Sequence, residues 1–374
     1  MQQWYRIIWG NIREDNDMKI NFIAPAVGNS GGMQVVFKYA IELEKRGHEV
    51  FVYAPIIPYV LQKKSFIYKC AYVIPRVVHN IYKFKVKNYP HQLCENVKWK
   101  IVPMINDRFV SHADVVIATA WPTAYDVAKL SIKKGKKFYF IQDYEVWDDK
   151  DKGEASYKLN LNKIVIADWI KKRIADLGID TSKIPTVNNG IDYSVYERKR
   201  SYNNSEEFRF LILDHHLEKK GVKYGIEVYE KIKNRFPKVT LKMFGMKRSA
   251  FVPDYAEYYE NPTRAELVNL YNESDIFLFP SIEEGWGLTV IEAMASGCAI
   301  VGTNTGCLLE IGKDKCNCMK SNPKDVDSMV ENVIEIMKND KLFFKLVQQG
   351  KETAKNLDWN KSVVQFEKAI SFYR

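Results

Sequence analysis

Two glutamates, Glu284 and Glu292, stand eight positions apart in the stretch from Ser281 to Gly297, SIEEGWGLTVIEAMASG. Gly285 and Gly287 follow the first glutamate, and an apolar, alanine-rich helical pattern carries the second. The preceding run from Asp275 to Pro280, DIFLFP, suits a buried parallel strand. Strand, glycine-bearing turn and helix in that order expose backbone N–H groups at a helix N-terminus, where an anion binds well. Glu292 falls about two turns into that helix, and Glu284 sits in the loop at its mouth. One carboxylate can accept hydrogen bonds from the hydroxyls of a sugar and the other from a ribose. The amides of Gly287, Leu288 and Thr289 between them can hold a diphosphate. The chemistry is that of a nucleotide-sugar site. The competing reading is a buried strand–helix unit whose glutamates only cap and solvate, and the full string, running on through Cys298 to Thr303 (CAIVGT), argues against it.

The same string resembles the E-x7-E signature of retaining GT-B glycosyltransferases, specifically glycosyltransferase family 4, and the resemblance extends from roughly Lys19 to the C-terminus. It implies a retaining, metal-independent transferase that takes a hexose or 6-deoxyhexose from a nucleoside diphosphate sugar, with Glu284 orienting the sugar and Glu292 the ribose. The nucleotide sugar is then the donor substrate, and no separate cofactor is expected. The acceptor hydroxyl would attack from the face that the diphosphate leaves. The departing phosphate itself would help take the proton, so no dedicated base is needed.

Other segments fit the resemblance to different degrees. Gly31 and Gly32 resemble the glycine turn that approaches the donor diphosphate from the first domain. Glycine lets backbone come close and permits positive φ, although a plain tight turn reads the same way. Asn189-Gly190-Ile191-Asp192 resembles the segment that ends the first domain, with a structural role first. In DHHLEKKG, from Asp214 to Gly221, Lys220 matches the lysine that neutralises the leaving phosphate. His215 stands where many members have arginine, and a histidine there can donate a hydrogen bond with a charge set by pH. Gln142 to Trp147, QDYEVW, resembles a segment of rhamnosyltransferase-like proteins. It offers Asp143 or Glu145 for acceptor or donor hydroxyls, with a helix cap as the alternative for Asp143. Trp121, in ATAWP, stands near where many members carry a donor-contacting histidine. Asp149-Lys150-Asp151 mimics a metal-binding D-x-D but lies in a charged run and reads as a solvated loop, so no metal site is assigned. Other GT-B activities, an epimerase or a phosphorylase, remain alternatives, as does an inactive membrane or interaction module on this fold.

The elements that must position these residues read as two successive α/β units. Lys19–Pro25, Glu49–Ala54, Ala113–Ala118, Lys137–Ile141 and Lys163–Ala167 read as strands. A glycine-rich turn from Val27 to Gly32 leads into a helix over Met33–Arg46, and another helix covers Asp168–Leu177. A polar stretch from Ser194 to Glu207 reads as a linker. The pattern then restarts with a strand at Phe208–Leu213, a helix at Gly221–Arg235, a strand at Thr240–Phe244 and a helix at Arg264–Asn272. The fold class is therefore α/β with two Rossmann-like parallel-sheet domains, and the resemblance implies GT-B, the two facing a cleft. The expected division is 1–195 for the first domain and 196–359 for the second, and the resemblance implies that the C-terminal helix, 360–374, returns to the first. A dinucleotide site is disfavoured. The glycines do not follow G-x-G-x-x-G, and the second strand ends at Ala54-Pro55 without an acid for the ribose.

A chain of 374 residues suits two domains. It has no uninterrupted apolar run of about 20 residues and no secretory signal pattern. The six cysteines have no framework spacing. They suit a reduced, cytoplasmic protein, with Cys316-Asn317-Cys318 in a surface loop. Most of the net charge of +10 lies between Val60 and Lys100, where nine lysines and arginines face the single acid Glu95. Tyrosines, Phe66, Phe84 and Trp99 are interleaved with them. Basic charge mixed with aromatic side chains suits an anionic membrane surface rather than nucleic acid, against the bland alternative of a solvated face. A peripheral protein on the inner face of the cell membrane, acting on a glycan or polyprenyl-linked acceptor, is the resulting expectation.

Overall fold

The computed structural model describes residues 17–26, 30–59, 97–197 and 207–371. The chain divides into two compact units. One comprises Met1–Val165, Ile174–Pro185 and Val363–Arg374, and the other Ile166–Arg173 and Thr186–Ser362.

The first unit is built on a six-stranded sheet of β1 (Lys19–Ile23), β2 (Glu49–Pro55), β3 (Lys98–Val102), β4 (Val115–Ala118), β5 (Lys136–Ile141) and β6 (Asn162–Val165). The strand order is β3-β2-β1-β4-β5-β6 and every pairing is parallel. A parallel sheet must be covered on both faces, so its central strands are apolar throughout rather than alternating, and β4 (VVIA) is buried at every position. The order reverses direction between β1 and β4. The loops at the carboxyl ends of those two strands therefore diverge and leave the crevice where doubly wound sheets bind ligands. After β1 comes α1 (Gly31–Lys45), capped by the Ser30 hydroxyl, which accepts from the Met33 N–H at 3.4 Å. After β4 comes α2 (Trp121–Lys129). Further on is α3 (Lys150–Ser156), and after β6 comes α4 (Asp168–Ala175), whose residues up to Arg173 belong to the second unit.

In the second unit α5 (Tyr193–Tyr196) precedes β7 (Arg209–Leu213), α6 (Val222–Arg235), β8 (Thr240–Gly245), β9 (Glu257–Glu260), α7 (Arg264–Glu273) and β10 (Ile276–Phe279). Then follow α8 (Leu288–Ala295), β11 (Ala299–Thr303), α9 (Cys307–Glu310), β12 (Met319–Ser321), α10 (Val326–Lys338), α11 (Asp340–Asn356) and α12 (Trp359–Ser371). Its sheet has the order β12-β11-β10-β7-β8-β9, again all parallel. Renumbered from β7, this is the same topology, and the reversal falls between β7 and β10. Residues of α12 from Val363 onward belong to the first unit. There Phe366 packs against Tyr39, Phe140 and Phe22 at ring-centroid separations of 4.5, 5.0 and 6.2 Å. Glu367 accepts from Arg46 Nε at 2.7 Å.

The strands read from apolar runs are present, with ends shifted by a residue or two. β3 and β9 are edge strands, read as KWKIV and EYYE with exposed positions, and carry no apolar run to reveal them. The Asp149-Lys150-Asp151 run is not a loop. Asp149 caps α3, its carboxylate accepting from the Lys152 N–H at 3.2 Å. The Cys316–Cys318 segment is not a surface loop either, since Asn317 and Cys318 are buried and the Asn317 amide donates to Ile311 O and Thr353 Oγ1. The start of the segment read as linker, Ser194 to Tyr196, belongs to the helix Tyr193–Tyr196, and Tyr196 is buried. Residues 198–206 and most of the basic stretch, 60–96, lie outside the described residues, as do Val27 to Asn29 of the glycine-rich turn.

Candidate active site

The loops at the reversal point of the second sheet are Asp214–Gly221, after β7, and Pro280–Gly287, after β10. The backbone zips them together: the N–H groups of Ile282 and Glu283 both donate to Lys219 O, at 2.7 and 3.1 Å. Gly221, in the left-handed region at φ +63°, makes the closest approach. A Cβ there would stand 2.0 Å from Pro280 O, so only glycine fits. This packing sets Lys220 beside Glu284. Its Nζ donates to Oε1 at 2.8 Å and to Oε2 at 2.6 Å, with 18% and 12% of the two side chains exposed. The Ser281 hydroxyl adds a longer contact to Oε2 at 3.4 Å. The stem of Glu284 lies between two further glycines of positive φ. Added Cβ atoms would approach its Cγ to 3.3 Å from Gly287 and to 2.9 Å from Gly306. Two residues picked out separately in the sequence, Lys220 and Glu284, are thus brought together.

Gly287, at φ +88° and ψ 61°, caps α8, and no side chain caps that end. Its neighbours Leu288 and Thr289 open the helix, so the first amides of α8 point out of the turn that holds Glu284. The indole N–H of Trp169 donates to Gly285 O at 3.1 Å, and the Trp169 backbone N–H donates to Glu310 Oε1 at 3.0 Å, which fixes this turn from a second side. His215 lies in the β7 loop, half-buried and stacked on His216 with ring centroids 4.6 Å apart. Its Nδ1 accepts from the Leu217 N–H at 3.1 Å, so the ring proton sits on Nε2 as a donor. Burial, then the nearby Lys220 charge, hold its pKa below the usual histidine value. That shift favours the neutral ring, the form in which Nδ1 accepts. Asp214 is buried and takes the Ser249 N–H at 2.8 Å and the Ser249 hydroxyl at 2.5 Å, which ties down the loop after β8.

Glu292 is on α8, with Oε1 accepting from the Tyr196 hydroxyl at 2.8 Å and Oε2 from the Tyr271 hydroxyl at 2.9 Å. Burial raises its pKa, opposed by those two hydrogen bonds and by the Arg264 charge. Nothing in the sequence pointed to Tyr196, Tyr271 or Trp169. Their partners are 96, 21 and 116 positions away, and only the fold brings them together.

The remaining candidates lie in the first unit. Gly31 and Gly32 form the first turn of α1, and neither adopts positive φ. A Cβ on Gly31 would meet nothing within 4 Å, and one on Gly32 would reach only the Gln142 amide, at 3.6 Å. Asp143 accepts from the Tyr144 N–H at 2.8 Å, a local turn contact. Glu145 and Trp121 depart from the role in sugar contact. Both are 5% exposed. Glu145 Oε2 accepts from the Trp121 N–H at 2.5 Å and the Tyr139 hydroxyl at 2.9 Å, while the Trp121 indole donates to Trp147 O at 3.0 Å. Glu145 anchors the start of α2 to the sheet, and burial pushes its pKa up to about 8. Among the described residues no group of three His, Cys, Asp or Glu is disposed to hold a metal ion, and no helix is long and apolar enough to cross a membrane.

Two six-stranded parallel sheets with surrounding helices match the fold of GT-B glycosyltransferase structures. Residues 196–355, within the second unit, match the family described as Glycosyl transferases group 1. A solved structure of Anabaena HepE in complex with UDP-glucose shares the fold, with a TM-score of 0.71 at 13% identity over 95% of this chain and 99% of that one. The lipopolysaccharide outer core galactosyltransferase WaaB aligns at a TM-score of 0.64 and 18% identity, over 96% and 100%. An uncharacterized glycosyltransferase of Methanocaldococcus jannaschii is 24% identical over 210 residues, 55% of this chain and 58% of its own length. The Escherichia coli serotype-specific mannosyltransferase WbdA is 38% identical over 84 residues, 22% of this chain and 10% of that protein. The chain thus spans little more than half the length of the first curated relatives it matches, 58% and 50%.

Proposed function

We propose that this chain is a glycosyltransferase that moves a hexose or 6-deoxyhexose from a nucleoside diphosphate sugar to a glycan or polyprenyl-linked acceptor in polysaccharide synthesis, with retention of configuration and without a metal ion. The observation that carries the reading is the Lys220–Glu284 pair beside the uncapped start of α8, inside the stretch that matches Glycosyl transferases group 1. The diphosphate binds the amides of Gly287, Leu288 and Thr289, where backbone dipoles converge. Lys220 then turns from Glu284 to the phosphate that leaves, since charge grows there as the bond breaks. This frees the Glu284 oxygens for the hydroxyls of the sugar. The neutral His215 donates from Nε2 to a phosphate oxygen, in the place of the arginine of related sequences. Glu292 accepts from the ribose hydroxyls through the lone pairs that its tyrosine partners leave.

The donor class is supported by the HepE complex with UDP-glucose, and the role in polysaccharide synthesis by a relative named as an O-antigen chain mannosyltransferase. Association with an anionic membrane on the cytoplasmic side is part of the same proposal and rests on the basic, aromatic-rich stretch between Val60 and Lys100. A thermal-shift panel of UDP, GDP, dTDP and ADP sugars tests the reading. A ligand present at 100 times its dissociation constant stabilises the folded protein by about 2.7 kcal/mol. Glu292→Ala should weaken the response. No shift with any member of the panel would end the proposal.

A further inference from the structure

Glu292 is held by a side chain from outside its own sheet and helices, and the hold is specific. Tyr196, the last residue of α5, is 6% exposed and donates its hydroxyl to Oε1 at 2.8 Å. Its backbone is fixed to the same helix as Glu292, because the Ser296 hydroxyl donates to Tyr196 O at 2.8 Å. Its ring stands edge-on to Tyr271, the second donor to Glu292, with centroids 6.2 Å apart. The Arg264 guanidinium lies 5.7 Å from the ring centroid and is paired with Asp192 at 2.9 Å. Two phenols thus grip one carboxylate from two sides. Burial raises the pKa of both tyrosines, so each phenol keeps its proton and acts as a donor. A carboxylate oxygen has two acceptor directions, and a donor that fills one of them fixes where the other points. Removal of one phenol leaves the carboxylate held at a single oxygen, which loosens its rotation about its last bond.

We infer that Tyr196 is a positioning residue for nucleotide recognition, its hydroxyl holding Glu292 in the rotamer that accepts from the 2′ and 3′ hydroxyls of the donor ribose. This rests on the assignment of Glu292 to the ribose in the proposed function. It makes the segment entering the second unit part of the nucleotide site, so the ribose is read by α5, α7 and α8 together.

The test compares UDP and GDP with their 2′,3′-dideoxy counterparts by isothermal titration, using the full chain. Neutral hydrogen-bond partners of a charged group contribute enough that the parent should prefer the ribose form by roughly tenfold or more. Tyr196→Phe keeps the ring and its packing. It should cut that preference to a few-fold by weakening the ribose form and leaving the dideoxy form unchanged. Glu292→Gln sets the floor, and Tyr196→Phe added to it should change nothing further, because the phenol acts through the carboxylate. A merely structural role would weaken both nucleotide forms equally and would add to Glu292→Gln. A parent without preference overturns the ribose assignment and this inference with it. A parent that prefers ribose and a Tyr196→Phe variant with the same preference overturns this inference alone. Should Tyr196→Phe fail to fold, the same comparison on Tyr196→His, which keeps a ring donor, must retain part of the preference.

Discussion

Replacing Lys220 with alanine should damage both the fold and the reaction, by amounts the geometry sets. The ammonium makes two contacts to Glu284, at 2.8 and 2.6 Å, with 18% and 12% of the side chains exposed. An exposed pair contributes about 0–1 kcal/mol, whereas removing one partner of a buried pair costs about 3–5 kcal/mol by leaving the other charge unpaired. This pair lies toward the buried limit, so Lys220→Ala should cost roughly 2–4 kcal/mol. Most of that cost is the stranded Glu284. The double variant Lys220→Ala/Glu284→Ala should therefore be more stable than the sum of the single losses, with a coupling of about 1–3 kcal/mol. Turnover should fall independently of stability, by about 100- to 1,000-fold, as when one charge-stabilising group is removed from a transition state. Urea unfolding gives the first quantity, and release of the nucleoside diphosphate in the presence of acceptor gives the second. Additive stability losses would mean that the pair does not hold the two loops together. Turnover within a few-fold of the parent would remove Lys220 from the chemistry.

Gly287→Ala, at φ +88° and with its new Cβ 3.1 Å from the Phe279 ring, should cost about 1–3 kcal/mol. It should also reduce turnover by disturbing Glu284; unchanged unfolding and activity would contradict the packing argument. Glu145 has its pKa pushed up to about 8 from an ordinary 4.5, so the folded state binds its proton more tightly than the unfolded chain. That contribution is fully present below pH 4.5 and is lost as pH rises toward about 8. Glu145→Gln should therefore gain stability on the parent across that window, and a pH-independent difference in urea midpoints would refute the assignment. Sedimentation with anionic vesicles at low salt, lost on replacing Lys83, Lys85 and Lys87 with glutamate, is expected of the basic stretch, at about 1 kcal/mol per lysine. Equal binding to neutral vesicles, or none to either, would make it an ordinary solvated face.

The amino-acid sequence made the scaffold legible where physics leaves a local mark. Buried parallel strands such as IFLF and VVIA are apolar at every position, and the glycine turn before α8 announces a helix start. The edge strands β3 and β9, buried on fewer sides, leave no such mark. At the candidate site, Glu284 and Glu292 were marked by type and spacing and Lys220 by the resemblance, but the contacts that join and hold them were not. The hydroxyls that grip Glu292 come from tyrosines that read locally as core aromatics. Glu145 looked like a ligand residue because it follows a strand, at the carboxyl edge of the sheet where ligands bind. Here a phenol, a backbone N–H and near-complete burial turn it inward, and no local pattern records that.

The central claim is transfer of a sugar from a nucleoside diphosphate, and product analysis tests it most directly. The protein should be incubated with a stabilising nucleotide sugar and a glycan or polyprenyl-linked acceptor, with EDTA present, and followed by proton NMR. The account predicts one nucleoside diphosphate released per glycoside formed, an anomeric configuration equal to that of the donor, and loss of both signals in Lys220→Ala. Formation of an epimerised nucleotide sugar or a sugar phosphate, inversion at the anomeric carbon, or abolition of transfer by EDTA would contradict it.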